Sequence, residues 1–288
     1  TLGQEAGRKF RFRILTATVF LSICMGCTIS EIDAMTADFD GDILLGRPTD
    51  QGISVSVMAF SDTEAYVEYG LTADNFNRRS SLHKISADDI YTFELNDLEA
   101  NAEYFYRLRF RTNSNQGFQD FSAGPEYSFN TAKPVGATFS FAVQSDPHLG
   151  ARTRFEKWCG DRCARELADD KVYLRTVENM LGYDPDFLVD LGDFFMTAQN
   201  HQNGLFPIQR RVESAPVTQA EVLEDVTYLR SLMAPGGASI PIMLVQGNHE
   251  AEDGARLDGT PNNLAVWAIN ARKKYLPSPT DGDFYTGP

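Results

Sequence analysis

Three short segments of the chain carry side chains that bind hard metal ions, and each follows an apolar run. The segments are Ser145-Asp146-Pro147-His148, Leu191-Gly192-Asp193 and Gly247-Asn248-His249-Glu250. The runs before them, at residues 138–143, 187–189 and 240–245, are typical of buried strands. In α/β folds, ligands bind at the carboxyl ends of such strands. Carboxylate, imidazole and amide oxygen favour a hard or borderline divalent ion, so the segments together predict a metal site.

The first two segments indicate how metal ions would be held. Asp146 and His148 lie two residues apart, so both can point the same way at a strand end and bind one ion. Gly192 allows a sharp turn before Asp193, whose two oxygens can bridge two ions about 3.5–4 Å apart. Each segment taken alone also fits a turn or a helix N-cap. Their order and their place after three apolar runs favour the metal site.

The third segment offers a neutral ligand and a proton donor. Asn248 presents an amide oxygen, and His249 is the neighbour whose side chain diverges from it. We therefore predict that His249 reaches the substrate as a general acid and is not a metal ligand.

The pattern D-x-H, then G-D, then G-N-H-[DE] resembles the calcineurin-like metallophosphoesterases over residues 138–288. The resemblance implies four metal ligands, Asp146, His148, Asp193 and Asn248. They would hold two divalent ions (Mn, Zn, Fe or Co), with Asp193 and a hydroxide bridging them. His249 matches the histidine that stabilises the transition state and protonates the leaving oxygen, whereas Glu250 matches no direct ligand.

The part before residue 138 is similar to the N-terminal domain of purple acid phosphatases and related secreted phosphatases, with two departures. His148 and Met196 stand where the purple enzymes have Gly and Tyr, so we expect no ferric–tyrosinate centre. The family also has a lone His and a G-H-x-H segment further on, and this chain has no His after His249. We therefore expect a fragment of a longer gene that binds metal weakly and does not turn over by itself. His201 as a substitute ligand is the less favoured alternative.

Residues 40–133 show the period-two pattern of short antiparallel strands. The clearest strand covers residues 104–111, and residues 98–104 look like the tyrosine corner of fibronectin type III domains, with Tyr104 as the corner residue. Arg107, Arg109 and Arg111 alternate with its apolar residues, and we interpret them as a solvated strand face and not as a phosphate-binding strip.

After a linker at residues 132–136 the pattern changes to alternating strands and helices. Helices are predicted at residues 164–181, from 218 to an end at Pro235-Gly236-Gly237, and at 262–275. The order βαβαβ predicts a parallel sheet. The predicted fold is thus a fibronectin type III-like β-sandwich (40–133), followed by an incomplete α/β metallophosphoesterase domain of the αββα sandwich type (138–288).

The first 30 residues are typical of an export signal. Four basic residues precede an apolar stretch at 14–25, which Gly26 and Cys27 follow. The stretch is short for a membrane span, which takes about 20 residues. Plain cleavage, an uncleaved anchor and a lipoprotein signal with a lipidated Cys27 all remain open. We expect a periplasmic, secreted or lipid-anchored protein, in which Cys159 and Cys163 form a disulfide or stay as free thiols.

The formal net charge of −14 argues against nucleic-acid binding, because a phosphate backbone would be repelled. The expected partner is a phosphorylated small-molecule substrate. The function that we predict is exported, metal-dependent hydrolysis of phosphate monoesters. The alternatives are a phosphodiesterase or nucleotidase of the same superfamily, and a non-catalytic cell-surface protein that has lost its second metal site.

Overall fold

Two antiparallel sheets form the first part of the computed structural model, which describes residues 37–114, 117–118, 120–147, 170–194, 218–245, 247 and 258–279. Their strands are β1 (Gly41–Gly46), β2 (Ile53–Ala59), β3 (Thr63–Gly70), β4 (Arg78–Arg79), β5 (His83–Ile85), β6 (Asp89–Leu95), β7 (Glu103–Ser114), β8 (Gly117–Phe118) and β9 (Ser122–Asn130). One sheet has the order β1-β2-β6, and the other has the order β4-β3-β7-β8, with β5 on β3 and β9 on β7. Apolar residues of both sheets, such as Val55 and Leu108, share one buried core.

Strand β7 shows the alternation that the sequence predicts. Tyr104, Tyr106, Leu108 and Phe110 are all buried. The Tyr104 hydroxyl accepts a hydrogen bond of 3.0 Å from the Glu99 amide, which confirms the predicted corner contact.

The arginine row on the outer face of β7 differs from its predicted solvated state. Arg107 and Arg109 both bond to Glu68, and Arg111 bonds to Glu64, so the charges are paired. The guanidinium of Arg111 also lies 4.6 Å from the ring centre of Phe121. The row lies on the partly exposed face of β7, as predicted, but its charges are paired because the long side chains lie along the sheet on neighbouring carboxylates and rings.

The second part is a three-stranded parallel sheet with helices between its strands. Its elements are β10 (Phe141–Gln144), α1 (Asp170–Leu181), β11 (Phe187–Asp190), α2 (Gln219–Gly237), β12 (Ile242–Leu244) and α3 (Leu264–Tyr275). The sheet order is β10-β11-β12 with parallel pairing throughout, which confirms the predicted βαβαβ order. A parallel sheet places all three strand carboxyl ends at one edge, and the described motif residues Asp146, Asp193 and Gly247 follow these ends.

Helices cover one face of this sheet. Leu188 and Leu244 pack against Tyr173 of α1 and Met233 of α2 in a second buried core. On the other face, Phe139, Phe141 and Val143 are about half exposed. The rings of Phe141 and Phe187 stack there with centroids 5.3 Å apart. Among the described residues, this apolar face has no covering layer.

A buried ion pair joins the two parts, which belong to one compact unit. Arg230 of α2 is fully buried and donates to Asp42 of β1, to the Ser56 carbonyl (2.7 Å) and to the Tyr275 carbonyl (2.7 Å). Strand β1 also belongs to both hydrophobic cores, because Leu45 packs in the first core and Leu44 packs in the second.

The second helix ends within the predicted segment Pro235-Gly236-Gly237, because α2 continues through Pro235 and stops at Gly237. Proline removes only its own amide donor, and the following turn is closed by the Ala238 amide, which donates to the Ala234 carbonyl at 3.2 Å.

Several predictions fall outside the described residues: the export signal at 1–30 with Cys27, the pair Cys159 and Cys163, and the helix before residue 170. The domain boundaries at 40–133 and 138–288 stay predictions. No helix in the described ranges is both long and apolar enough to cross a membrane.

Candidate metal centre

Two predicted metal ligands lie side by side at the carboxyl edge of the parallel sheet. Asp146 follows β10 and Asp193 follows β11, and these strands are neighbours with Gln144 opposite Asp190. Beyond the last pair, the Asp146 amide donates to the Gly192 carbonyl at 3.0 Å. The first two motif segments are therefore joined by a backbone hydrogen bond at the predicted site.

Both aspartates have a left-handed backbone. The φ angle is 55° at Asp146 and 59° at Asp193, and Gly192 between them has φ 90°. This conformation costs an L-residue roughly 1–2 kcal/mol, although Asp tolerates it better than most residues. Other aspartates, such as Asp74 and Asp184, adopt it in turns. What distinguishes Asp146 and Asp193 is their place on adjacent strand ends, where local strain commonly serves a site.

The third motif segment reaches the same place through Gly247. A Cβ atom at Gly247 would lie 2.0 Å from Asp193 Oδ1 and 2.4 Å from the Asp193 amide nitrogen. Only glycine fits at this distance, so the G of G-N-H-E allows the third segment to touch the Asp193 carboxylate.

Contacts on the neighbouring backbone hold the end of β12. The Val245 amide donates to the Asp190 carbonyl at 2.8 Å. Arg272 of α3 donates from Nη2 to the Leu244 carbonyl at 2.5 Å. The strand that leads to Gly247 is thus held by β11 on one side and by α3 on the other.

Sequence reasoning missed one functional candidate, Asp190. It is 1% exposed, and its carboxylate accepts from the Gly192 amide (3.1 Å) and from the side-chain amide of Gln144. Tyr173 of α1 lies beside it, and burial first, then the charge of Asp190, raises the pKa of Tyr173 above its ordinary value. The sequence contained a signal for this residue. Asp190 lies two positions after Leu188 and so faces the same buried side of an apolar strand, where a charged residue is unexpected.

The described donors fit a divalent cation. Asp146 is exposed and accepts from the Ser145 hydroxyl, and Asp193 is partly buried against Gly247. These two carboxylates follow adjacent strand ends, and carboxylates are hard oxygen ligands of the kind that such ions prefer. Within the described ranges, no group of three or more His, Cys, Asp or Glu residues could hold a metal ion.

The other predicted site residues are His148, Asn248, His249 and Glu250. They lie outside the described residues. Two of their neighbours in the sequence are described: Asp146, two residues before His148, and Gly247, directly before Asn248. Both lie at the carboxyl edge of the sheet. The roles of the four residues stay predictions.

The fold is similar to that of two solved phosphatase-related structures. No model of a protein family matches the sequence, and no curated protein matches it. The structure of PhoD is similar with a TM-score of 0.53 at 16% identity, over 88% of this chain and 50% of PhoD. A purple acid phosphatase from yellow lupin (Lupinus luteus) seeds is similar with a TM-score of 0.53 at 15% identity, over 83% of this chain and 41% of the lupin protein.

The chain thus spans about half the length of these structures. At such low identity the likeness concerns the fold alone. This sheet-rich chain has a phosphoesterase-type fold, and two of its candidate metal ligands, Asp146 and Asp193, lie at the carboxyl edge of the parallel sheet.

Proposed function

We propose that the chain belongs to an exported, metal-dependent phosphoesterase that hydrolyses phosphate monoesters of small molecules. The observation that carries the proposal is the convergence of Asp146, Asp193 and Gly247 at one sheet edge. Asp146 and Gly247 are 101 positions apart in the sequence, by the difference between 146 and 247. They nevertheless lie at the same sheet edge, where an α/β fold binds its ligands. The likeness in fold to a purple acid phosphatase agrees with this assignment.

The metal-binding roles extend the described geometry to the whole motif set. Asp146 and His148 would hold one divalent ion, Asn248 would hold the second, and Asp193 would contact both. Two such ions (Mn, Zn, Fe or Co) would neutralise the charge of the phosphate oxygens and would lower the pKa of the attacking water. The close approach of Gly247 keeps the Asp193 carboxylate beside the segment that carries Asn248.

The chain's own residues would orient the substrate and complete the proton transfer. His249, next to Asn248, would donate a proton to the oxygen of the leaving alcohol as the bond to phosphorus breaks. The substrate would be a phosphorylated small molecule. We assign the antiparallel sheets to a fibronectin type III-like domain that packs on the enzyme half through Arg230 and Asp42.

Titration of the apo protein with Mn²⁺ tests the metal centre. The variant Asp193→Asn keeps the shape of the side chain but removes the charge that would bind both ions. We expect it to bind Mn²⁺ at least about tenfold more weakly than the unaltered chain. Loss of a residue that only hydrogen-bonds to a metal ligand already lowers metal affinity about 10–100-fold. The matched control is Asp184→Asn, which alters an aspartate with φ 50° in a turn at the other end of β11 and should leave affinity unchanged. Equal affinity in Asp193→Asn would remove the proposed centre.

Hydrolysis assays of the complete gene product test the reaction. We expect faster release of p-nitrophenol from p-nitrophenyl phosphate than from bis(p-nitrophenyl) phosphate. Preference for the diester would reassign the protein to the phosphodiesterases. A protein that binds Mn²⁺ but hydrolyses neither compound would instead be the non-catalytic cell-surface protein.

A further inference from the structure

A closed circuit of hydrogen bonds joins the strand ends that carry the two aspartates. The Leu191 amide donates to the Gln144 carbonyl at 2.9 Å, and the Gln144 side chain donates to Asp190 Oδ2. Asp190 Oδ1 accepts from the Gly192 amide at 3.1 Å, and the Gly192 carbonyl accepts from the Asp146 amide at 3.0 Å. Within this circuit, the Asp190 side chain bonds to residues of both strand ends, Gln144 and Gly192.

The circuit acts on the residues whose backbone is strained. Gly192 has φ 90° and lies directly before Asp193, so the bond from its amide to Asp190 fixes the turn that sets the direction of Asp193. The same residue holds Asp146 through its carbonyl. Left-handed conformations persist only where several surrounding contacts hold them. The Asp190 carboxylate provides such a contact, because it accepts from the Gly192 amide in the turn.

Burial shows that Asp190 cannot itself serve as an open ligand. Its 1% exposure places it under the sheet edge, among residues of the second core such as Leu188 and Tyr173. A carboxylate in this position is costly unless hydrogen bonds satisfy it, and its two oxygens accept from the Gly192 amide and from the Gln144 side chain. Its contacts therefore point toward Asp146 and Asp193 and not toward solvent.

We propose that Asp190 is a positioning residue that, through its bonds to Gly192 and Gln144, holds Asp146 and Asp193 in the geometry that binds metal. The inference rests on the proposed function, because it assigns a task in the same metal centre. Its action is through hydrogen bonds and not through charge. Asparagine at position 190 can still accept from the Gly192 amide, and it can donate to the Gln144 side-chain oxygen once that amide group is rotated.

The test compares Asp190→Leu with Asp190→Asn in the full 288-residue chain. We expect Asp190→Leu to bind Mn²⁺ about 10–100-fold more weakly, the usual effect of losing a partner that orients metal ligands. Asp190→Asn should restore most of the affinity. Unchanged affinity in the leucine variant, or an asparagine variant as weak as leucine, would overturn the proposal.

Asp186 at the amino end of β11 provides the matched control. Its carboxylate also joins β11 to the β10 side, since it accepts from the Ser140 amide at 2.8 Å. Asp186→Leu removes a comparable link at the opposite edge and should leave Mn²⁺ affinity unchanged. A loss equal to that of Asp190→Leu would show a general loosening of the sheet and would overturn the positioning role.

Amide hydrogen exchange in the metal-free protein separates this inference from the proposed function. Asp190→Leu should speed exchange at Asp146 and Gly192, whereas Asp186→Leu should speed it at Ser140 only. If the unaltered chain binds no Mn²⁺, the proposed function fails, but the exchange pattern still decides whether Asp190 orders these amides. Should Asp190→Leu not fold, Gln144→Met removes the second donor to Asp190 and carries the same two measurements, with the same contradicting results.

Discussion

Two of the carboxylates that are buried in the described part of the chain, Asp42 and Asp190, lie in different regions and have different partners. Asp42, 6% exposed, lies at the junction of the antiparallel sheets with α2 and bonds to the guanidinium of Arg230. Asp190, 1% exposed, lies under the carboxyl edge of the parallel sheet and accepts from two amide groups. One carboxylate is matched to a cation 188 positions away, and the other is matched to neighbours in adjacent strand ends.

This difference assigns different tasks to the two regions. Burial raises the pKa of Asp42, and the charge and hydrogen bond of Arg230 oppose that rise. A guanidinium that also binds Ser56 and Tyr275 ties three distant parts of the chain together. The amides at Asp190 instead shape one turn. The junction therefore contributes stability, whereas the carboxyl edge contributes geometry, and variants of the two regions should separate unfolding free energy from metal affinity.

The largest expected effect is on stability, from Arg230→Met at the junction. The change leaves Asp42 buried without its cation, which lowers the free energy of unfolding by about 3–5 kcal/mol. Urea denaturation followed by circular dichroism measures the loss. Mn²⁺ affinity of the folded variant should be unchanged, because Arg230 touches no residue of the candidate metal centre.

The double variant Asp42→Leu with Arg230→Met is the control for this prediction. Replacing both charges by apolar groups removes the unpaired carboxylate, so stability should recover toward that of the unaltered chain. A single variant as stable as the unaltered chain would contradict the assignment of stability to the junction.

The next effect comes from Gly247→Ala at the carboxyl edge. The added methyl group would lie 2.0 Å from Asp193 Oδ1, so the carboxylate or the third segment must move. Overpacking of this kind costs about 1–3 kcal/mol of unfolding free energy. Mn²⁺ binding, measured by calorimetric titration, should fall far more than for any junction variant.

Gly124→Ala in β9 is the matched control, because its methyl group would meet the Leu108 carbonyl oxygen at 3.3 Å, far from the site. It should leave metal affinity unaltered. If Gly247→Ala binds Mn²⁺ like the unaltered chain, the third segment does not share the centre with Asp193.

The smallest effect is at Asp186, where a half-buried carboxylate pairs with Lys133 at 2.8 Å. Burial alone would raise the pKa of Asp186, but the bonds from Lys133 and the Ser140 amide outweigh it and lower the pKa. A lowered pKa means that the carboxylate stabilises the fold above its unfolded value of about 3.9 and that this stability is lost as pH falls through the folded value. Asp186→Asn should therefore cost about 0.2–1 kcal/mol at neutral pH.

Thermal unfolding across pH measures this prediction. The difference between Asp186→Asn and the unaltered chain should begin to shrink below about pH 3.9 and should close once the pH has fallen through the lowered pKa of Asp186, where both side chains are neutral. A difference that persists at low pH would show that the amide substitution acts through packing and not through the ion pair.

The strands and helices of this protein are largely predictable from its sequence. Period-two alternation in β7 and the βαβαβ order of apolar runs are local patterns, and the structure confirms both. Strand β1 was harder to define, because Leu44 and Leu45 are buried on opposite faces and so show no alternation of polar and apolar residues. The segment Pro235-Gly236-Gly237 marks the end of α2 correctly, and the helix includes Pro235 because proline in the last turn removes only one donor.

The candidate ligands could be proposed from the sequence, but the contacts that hold them could not. Asp146 and Asp193 stand out in sequence, because their types and their place after apolar runs carry the signal. Asp190 and Gln144 do not, because a hydrogen bond between two side chains 46 positions apart leaves no local pattern. The pairing of Arg107 and Arg111 with glutamates of β3 escaped prediction for the same reason.

The sequence by itself determined the order of the elements and the residue types at each strand end, because hydrophobic periodicity and turn residues act over a few positions. Only the tertiary structure decided that Gly247 touches Asp193, that Asp190 accepts from Gly192 and Gln144, and that Arg230 meets Asp42. These contacts depend on strand register and on the packing of distant segments. Both are set by burial of the whole core and cannot be read from neighbouring residues.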